Sequence, residues 1–247
     1  MAKAPERFGF DRFRDLALDP SLSINQKMDG VDASRDGYDD AIWAAIRQAL
    51  PRLGSPGADV LDIGPGCGGV AHSLIALAEA QGHRLTLVDH AEMMALLPPS
   101  PAVTRVAGRF PEGLAASPQA DQAYDVILAY SVLQYVIVDA NPFAFIDAAL
   151  ARLKPGGALL VGDMPNFSKL RRFLSSEAGV AHHHAYMHTD QPPDVPAFPL
   201  LKDRIDDGVV LGLVTRARLA GFDAYLLPQS EALPFARWRE DLLIQRP

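Results

Sequence analysis

The chain has 247 residues, 49% hydrophobic and 21% charged, an ordinary globular mixture that can fill a sizeable core. A formal net charge of -7 gives a field that repels polyanions, which argues against nucleic acid as the main partner. The single cysteine, Cys67, cannot close an internal disulfide, and residues 1–20 carry no apolar run of signal-peptide type. No stretch approaches the roughly 20 apolar residues of a membrane span, so the expected location is the cytoplasm.

Residues 1–37 mix Asp and Arg with spaced apolar residues and read as an extension with short helical pieces. From Tyr38 to Leu53, Ile42, Trp43, Ile46, Ala49 and Leu50 recur at helical spacing, and GSPGA (54–58) is a turn. Strand and helix signals then alternate. Strands are expected at VLDI (60–63), RLTLVD (84–89), AVTRVAG (102–108), YDVILAYS (124–131) and ALLVGD (158–163). Helices are expected at Val70 to Gln81, Ala91 to Leu97 and Asn141 to Leu153, with KPGG (154–157) as a turn. Residues 164–208, rich in Pro, His, Ser and charge, break the rhythm. Val209 to Ala220 is helical again, and AYLLP (224–228) and DLLIQ (241–245) are strands with no crossover helix between them, which favours antiparallel pairing. The pattern predicts an α/β fold: a doubly wound, mainly parallel sheet with an antiparallel C-terminal strand. Residues 1–57 are expected to form a helical extension or cap, and 58–247 the main domain, with 164–208 inserted for substrate recognition.

The strongest local signal is VLDIGPGCGGVAHSL (60–74), where a strand ends at Ile63 and Gly64, Gly66, Gly68 and Gly69 lead into a helix. Glycines permit positive φ and close approach of a ligand, and a helix start offers free N–H groups. About 20 residues on, a second strand ends in Asp89, an acid suited to a ribose hydroxyl pair. Nicotinamide dinucleotide binding shares these features. Against it stand Asp62, which faces a cationic group better than a pyrophosphate, the spacing G-P-G-C-G-G, and the terminal antiparallel pair.

VLDIGPGCGG (60–69) resembles the first motif of class I methyltransferases that use S-adenosylmethionine (SAM). LTLVDHAEMM (85–94) resembles the second, YDVILAYSVLQYV (124–136) the segment following the fourth strand, and LKPGGALLVGD (153–163) the turn and fifth strand. The resemblance covers residues 58–247 and implies a seven-stranded sheet and SAM as cofactor. It implies that Gly64, Gly66 and Cys67 lie against the amino-acid part of SAM, with Asp62 near its ammonium. It also implies that Asp89 binds the ribose hydroxyls, that His90 or Met93 flanks the adenine, and that Tyr130 and Ser131 border the methyl group. Many members carry an acid after the third strand; here Arg109 stands there, leaving Phe110 and backbone groups for the adenine. The plainer readings are that Asp62 and Asp89 cap helices or loops, that Cys67 merely packs, and that Tyr130 and Tyr135 are wall residues.

Methyl transfer to oxygen also needs a base within reach. His182, His183, His184 and His188 in AHHHAYMHTD (181–190) are candidates, with Asp163 at the end of the fifth strand as their rival. The same histidines admit a metal-binding or a solvent-exposed reading, and no metal ligand is assigned. The expected function is SAM-dependent methylation of a small molecule, at oxygen on a hydroxylated or sugar-like acceptor. The alternatives are a nicotinamide-dependent oxidoreductase and a non-catalytic SAM-binding protein. The expected partners are the small-molecule substrate and, as an open option, a second copy of the chain, with neither nucleic acid nor membrane.

Overall fold

Apolar runs too short for helices, the first three closed by a glycine or an acid, become the strands of one central sheet. The computed structural model describes residues 8–29, 37–195 and 203–247. Helices α1 (Phe10–Leu18), α2 (Ile24–Asp29) and α3 (Asp39–Ala49) come first. Pro51 cannot continue α3, so the expected helix to Leu53 ends in a tighter turn at Pro51–Gly54. There follow β1 (Asp59–Ile63), α4 (Gly69–Gln81), β2 (Arg84–Asp89), α5 (Ala91–Met94), β3 (Val103–Ala107), α6 (Glu112–Ala115) and β4 (Tyr124–Tyr130). Next are α7 (Leu133–Asp139), α8 (Pro142–Leu150), β5 (Leu153–Pro165), α9 (Phe167–Leu174) and α10 (Glu177–Met187). The chain closes with α11 (Asp207–Leu219), β6 (Asp223–Pro228) and β7 (Arg239–Gln245).

The seven strands lie in the order β3-β2-β1-β4-β5-β7-β6. β1 to β5 run parallel to one another, and β7 lies antiparallel between β5 and β6, as the missing crossover helix led us to expect. Alternation along β1 sends Val60 into the core under α3 and α4, and Leu61 and Ile63 into the core under α8 and α11. Asp62 shares the parity of Val60. Side-chain caps start α8, α9 and α11: Asn141 accepts from the N–H of Phe143, Asn166 from that of Ser168 and Asp206 from that of Val209.

Several segments differ from expectation. KPGG does not precede the strand but bulges within β5, where the register against β4 slips between Tyr124 and Val126 and Gly156 takes a φ of 74°. The segment 133–139 forms a helix that the alternating pattern did not announce. Part of the expected insertion, 196–202, lies outside the described residues, and half of the rest forms α9 and α10. Among the described residues, no helix is long and apolar enough to cross a membrane.

The first helices are tied to one another and to α5 and α7 by a few contacts. Lys27 is buried, and its Nζ donates to the carbonyls of Leu16 and Ala17 at 3.0 Å and to that of Asp19, closing the C-terminal end of α1. Phe10 N–H donates to Asp139 Oδ2 at 2.6 Å, and Arg14 pairs with Glu92 at 2.7 Å. Lys27→Met keeps the apolar stem but removes the charge from these carbonyls, so α1 should lose about 1.5–3 kcal/mol of local stability. Hydrogen exchange should show faster exchange of the amides of residues 13–18 while those of β1 and β4 keep their protection.

Candidate active site

The turn after β1 can only be built with glycine at two positions. Gly64 and Gly66 have φ of 67° and 63°, and a Cβ on Gly64 would meet Val132 Cγ2 at 2.8 Å. On the other side Met28 presses so close that a Cβ on Gly68 would meet its Sδ at 2.7 Å. The backbone is thereby laid open along a cavity at the C-terminal ends of β1, β2 and β4. Helix α4 starts there with no side-chain cap on its first amides. This is the edge where open α/β sheets bind ligands.

β1 carries an acid at each end of the sheet, and the two are treated oppositely. At the far edge Asp59 accepts from Arg84 at 2.5 and 2.6 Å and from Lys154, while Asp125 accepts from Lys154 at 2.8 Å. Burial works against both carboxylates, yet these cations hold them below the ordinary range. At the cavity edge Asp62, 3% exposed, forms no ion pair among the described residues. Desolvation, helped by the charge of Asp89, pushes it up to about 8. Asp89 beside it is raised chiefly by burial, against hydrogen bonds from the N–H of His90 at 2.7 Å and of Gly66 at 3.1 Å. Among the described residues neither carboxyl forms an ion pair, which leaves this wall suited to a cationic group.

Of the residues singled out from sequence, Asp62, Gly64, Gly66, Asp89, Met93, Arg109, Phe110, Tyr130 and Ser131 all line this cavity. Cys67 and His90 are adjacent but not on its wall. Cys67 is buried, and desolvation pushes its thiol up to about 11, which keeps it protonated. His90 stacks on Phe10 with centroids 3.8 Å apart, and it is Phe10 that faces the cavity. Arg109 reaches Asp139 at 3.4 Å and lies over the Phe10 ring at 5.1 Å.

Ser131 and Asp163 form a connected pair at the ends of β4 and β5. The register of β5 against β7 slips between Val161 and Met164, so Gly162 and Asp163 bulge, and Asp163 takes a φ of 58°. Gly162 leaves room for the Tyr130 ring, which a Cβ there would meet at 2.3 Å. Asp163 Oδ2 accepts from Ser131 Oγ and from Arg239 Nη1, each at 2.5 Å, and Oδ1 accepts from Gln229 at 3.3 Å. Asp163 therefore supports the wall without forming part of it.

The histidines stand apart from this cavity. Helix α9 carries the chain away from the end of β5 before α10 begins. His182 then packs among Phe173, Tyr186 and Trp238 at centroid distances of 5.6, 6.0 and 5.7 Å. His183 and His184 lie side by side on α10, and His188 ends it in a left-handed conformation with a φ of 50°. None of the four lines the cavity, and no group of three or more metal-ligating side chains occurs among the described residues. The wall is completed instead by residues that had no sequence signal: Phe10, Phe13, Met28, Asp39 and Asp139.

A family model described as "Methyltransferase domain" matches residues 36–191, more than half of the chain. No curated protein matches the chain. Among solved structures, the complex of the Haloferax volcanii Trm112 methyltransferase activator with its methyltransferase partner matches at TM-score 0.56 and 18% identity, covering 95% of this chain and 96% of that one. The plantazolicin methyltransferase BpumL, solved with a triazolic desmethylPZN analog and S-adenosylhomocysteine (SAH), matches at 0.55 and 13% identity, covering 96% and 99%. The N-methyltransferase NodS from Bradyrhizobium japonicum WM9, in complex with SAH, matches at 0.54 and 13% identity, covering 96% and 98%. At these identities the likeness is one of fold.

Asp62 also leaves a mark on stability. Unfolded, it loses its proton near 3.8; folded, it keeps it to about 8. Between these values the unfolded state binds fewer protons, so this group's contribution to stability is complete below about pH 4 and is lost as pH rises through 8. Urea unfolding of the ligand-free protein should therefore show Asp62→Asn more stable than wild type at pH 8.5, with the gap closing toward pH 5. A constant gap would show that Asp62 is not held neutral by burial.

Proposed function

We propose that this chain, which belongs to the methyltransferase-domain family, is a SAM-dependent methyltransferase that acts on a hydroxyl oxygen of a small molecule. The observation that carries the reading is the buried pair Asp62 and Asp89 on one wall of the cavity, beside a glycine turn and an uncapped helix start. Asp62 offers a pyrophosphate no positive charge, which counts against the nicotinamide alternative, whereas an amino-acid ammonium favours its charged form and pairs with it.

In this reading Asp62 holds the ammonium and the backbone of Gly64 and Gly66 lies along the amino-acid part. Asp89 accepts from the ribose hydroxyls through the lone pairs that Gly66 and His90 leave free. Met93 and Phe110 enclose the adenine. When bound, SAM supplies a methyl group already activated by the sulfonium charge. What remains for the protein is to align the methyl acceptor and exclude water. Phe10, Phe13, Met28 and Ile42 exclude water on the side of the first helices, and Tyr130, Ser131 and Asp39 supply the polar contacts a hydroxylated molecule needs. An apolar body bearing a hydroxyl fits this wall.

Asp89→Ala should weaken SAM binding by about 1.5–3 kcal/mol, or roughly 10–150-fold, in a protein that stays folded. Calorimetry giving unchanged affinity would refute the ribose assignment. With a panel of hydroxylated and amino small molecules, mass spectrometry should detect SAH and a methyl ether; methylation of the amines alone would refute the oxygen assignment.

A further inference from the structure

A serine hydroxyl has one hydrogen to give, and Ser131 gives its hydrogen to Asp163. A carboxylate cannot return it, and Arg239 balances its charge at 2.5 Å from Oδ2 while also reaching the Asp163 carbonyl at 3.3 Å. Gln229 holds the other oxygen of the carboxylate, and Asp241 holds both Gln229 and the Asp163 backbone. Gln229 Nε2 bridges Asp163 Oδ1 at 3.3 Å and Asp241 Oδ1 at 2.9 Å, and Asp163 N–H donates to Asp241 Oδ1 at 2.7 Å. Asp163, Gln229 and Asp241 are all buried. Ser131 is itself fixed, because its N–H donates to the Gly162 carbonyl at 2.9 Å. Both Ser131 and Asp163 sit at positive φ, 60° and 58°, which a non-glycine residue adopts only where its surroundings impose it. The outcome is a cavity-lining serine whose hydrogen points into the protein and whose lone pairs are left for the cavity.

We propose that Ser131 recognises the methyl acceptor by accepting a hydrogen bond from its O–H, and that Asp163 is a positioning residue that enforces this polarity. The proposal rests on the SAM reading above and adds which group meets the methyl acceptor and in which direction the hydrogen bond runs. It selects molecules that present a hydrogen at the reacting atom. A molecule whose reacting oxygen is already methylated offers only lone pairs and meets lone pairs.

Sinefungin tests this without knowledge of the methyl acceptor, because it carries an amine, a hydrogen-bond donor, where SAM carries its methyl group, whereas SAH carries nothing there. Calorimetry should show wild type binding sinefungin about tenfold or more tighter than SAH, the scale of a hydrogen bond to a charged donor. Ser131→Gly suits the positive φ and removes only the hydroxyl; it should abolish this preference while SAH affinity changes less than about twofold. Asp163→Asn, which lets an amide donate to Ser131 and turns the hydroxyl hydrogen toward the cavity, should reduce the preference as well. A general loss of structure would instead weaken both ligands together. Equal binding of the two ligands by wild type, or an unchanged preference in Ser131→Gly, overturns the proposal. An unchanged preference in Asp163→Asn overturns the positioning role of Asp163. A wild type that binds SAH not at all overturns the SAM reading itself.

Discussion

Burying a carboxylate without a partner is among the costlier things a chain can do, because desolvation disfavours the charge and nothing returns the loss. Asp62 accepts that cost at the end of β1, three residues from an acid in the same strand that is fully paired. The surrounding architecture follows from keeping Asp62 uncompensated. The strand must end there, the turn must be bare backbone, and the next acid, Asp89, must arrive at the same edge from β2. The parallel order of β1 and β2, with Asp62 in register with Leu87, achieves the last of these. In the proposed reading the ammonium of SAM is the natural counter-charge.

The C-terminal hairpin has a part in the same edge. β7 inserts antiparallel beside β5, so the start of β7 and the end of β6 meet the bulged end of β5. Arg239, Asp241 and Gln229 thereby surround Asp163, and Asp163 sets the hydroxyl of Ser131. Strands that contribute no residue to the cavity wall thus determine the polarity of one that does. A parallel last strand would have brought its other end to this edge, and with it a different set of side chains.

The half of the site that was legible in sequence is the half built from strand ends. A short apolar run stopped by glycine or by an acid fixes local structure and places the acid at the binding edge in one step, which is why Asp62, Gly64, Gly66 and Asp89 could be read directly. Asp163 and Ser131 were legible as positions but not as a pair, because their contact depends on β4 and β5 being neighbours. Helix α7 was missed because LQYVIVD is rich in β-branched residues, and its place between β4 and α8 overrides that propensity. The histidines attracted notice by composition, yet the intervening helix α9 decides where they go. His182 joins Phe173 and Trp238 instead of the cavity.

Two parts added to the sheet competed for the role of closing the cavity, the N-terminal segment and the segment after β5. Among the described residues it is the first that faces it, through Phe10, Phe13 and Met28. The reason lies in the anchors. Lys27 closes α1 and brings Met28, the next residue, over Gly66 and Gly68, while Asp139 and Glu92 tie α1 to α7 and α5. Residues after β5 are anchored the other way: Asn166 donates to Asp207 and Glu240, and Arg172 pairs with Asp207, which draws α9 toward α11 and β7. The side-chain chemistry of the cavity wall is therefore set chiefly by residues of low sequence conspicuousness in α1 and α2. Changes there, more than in the histidine-rich helix, reshape the cavity wall, while the glycine turn and its two acids stay untouched.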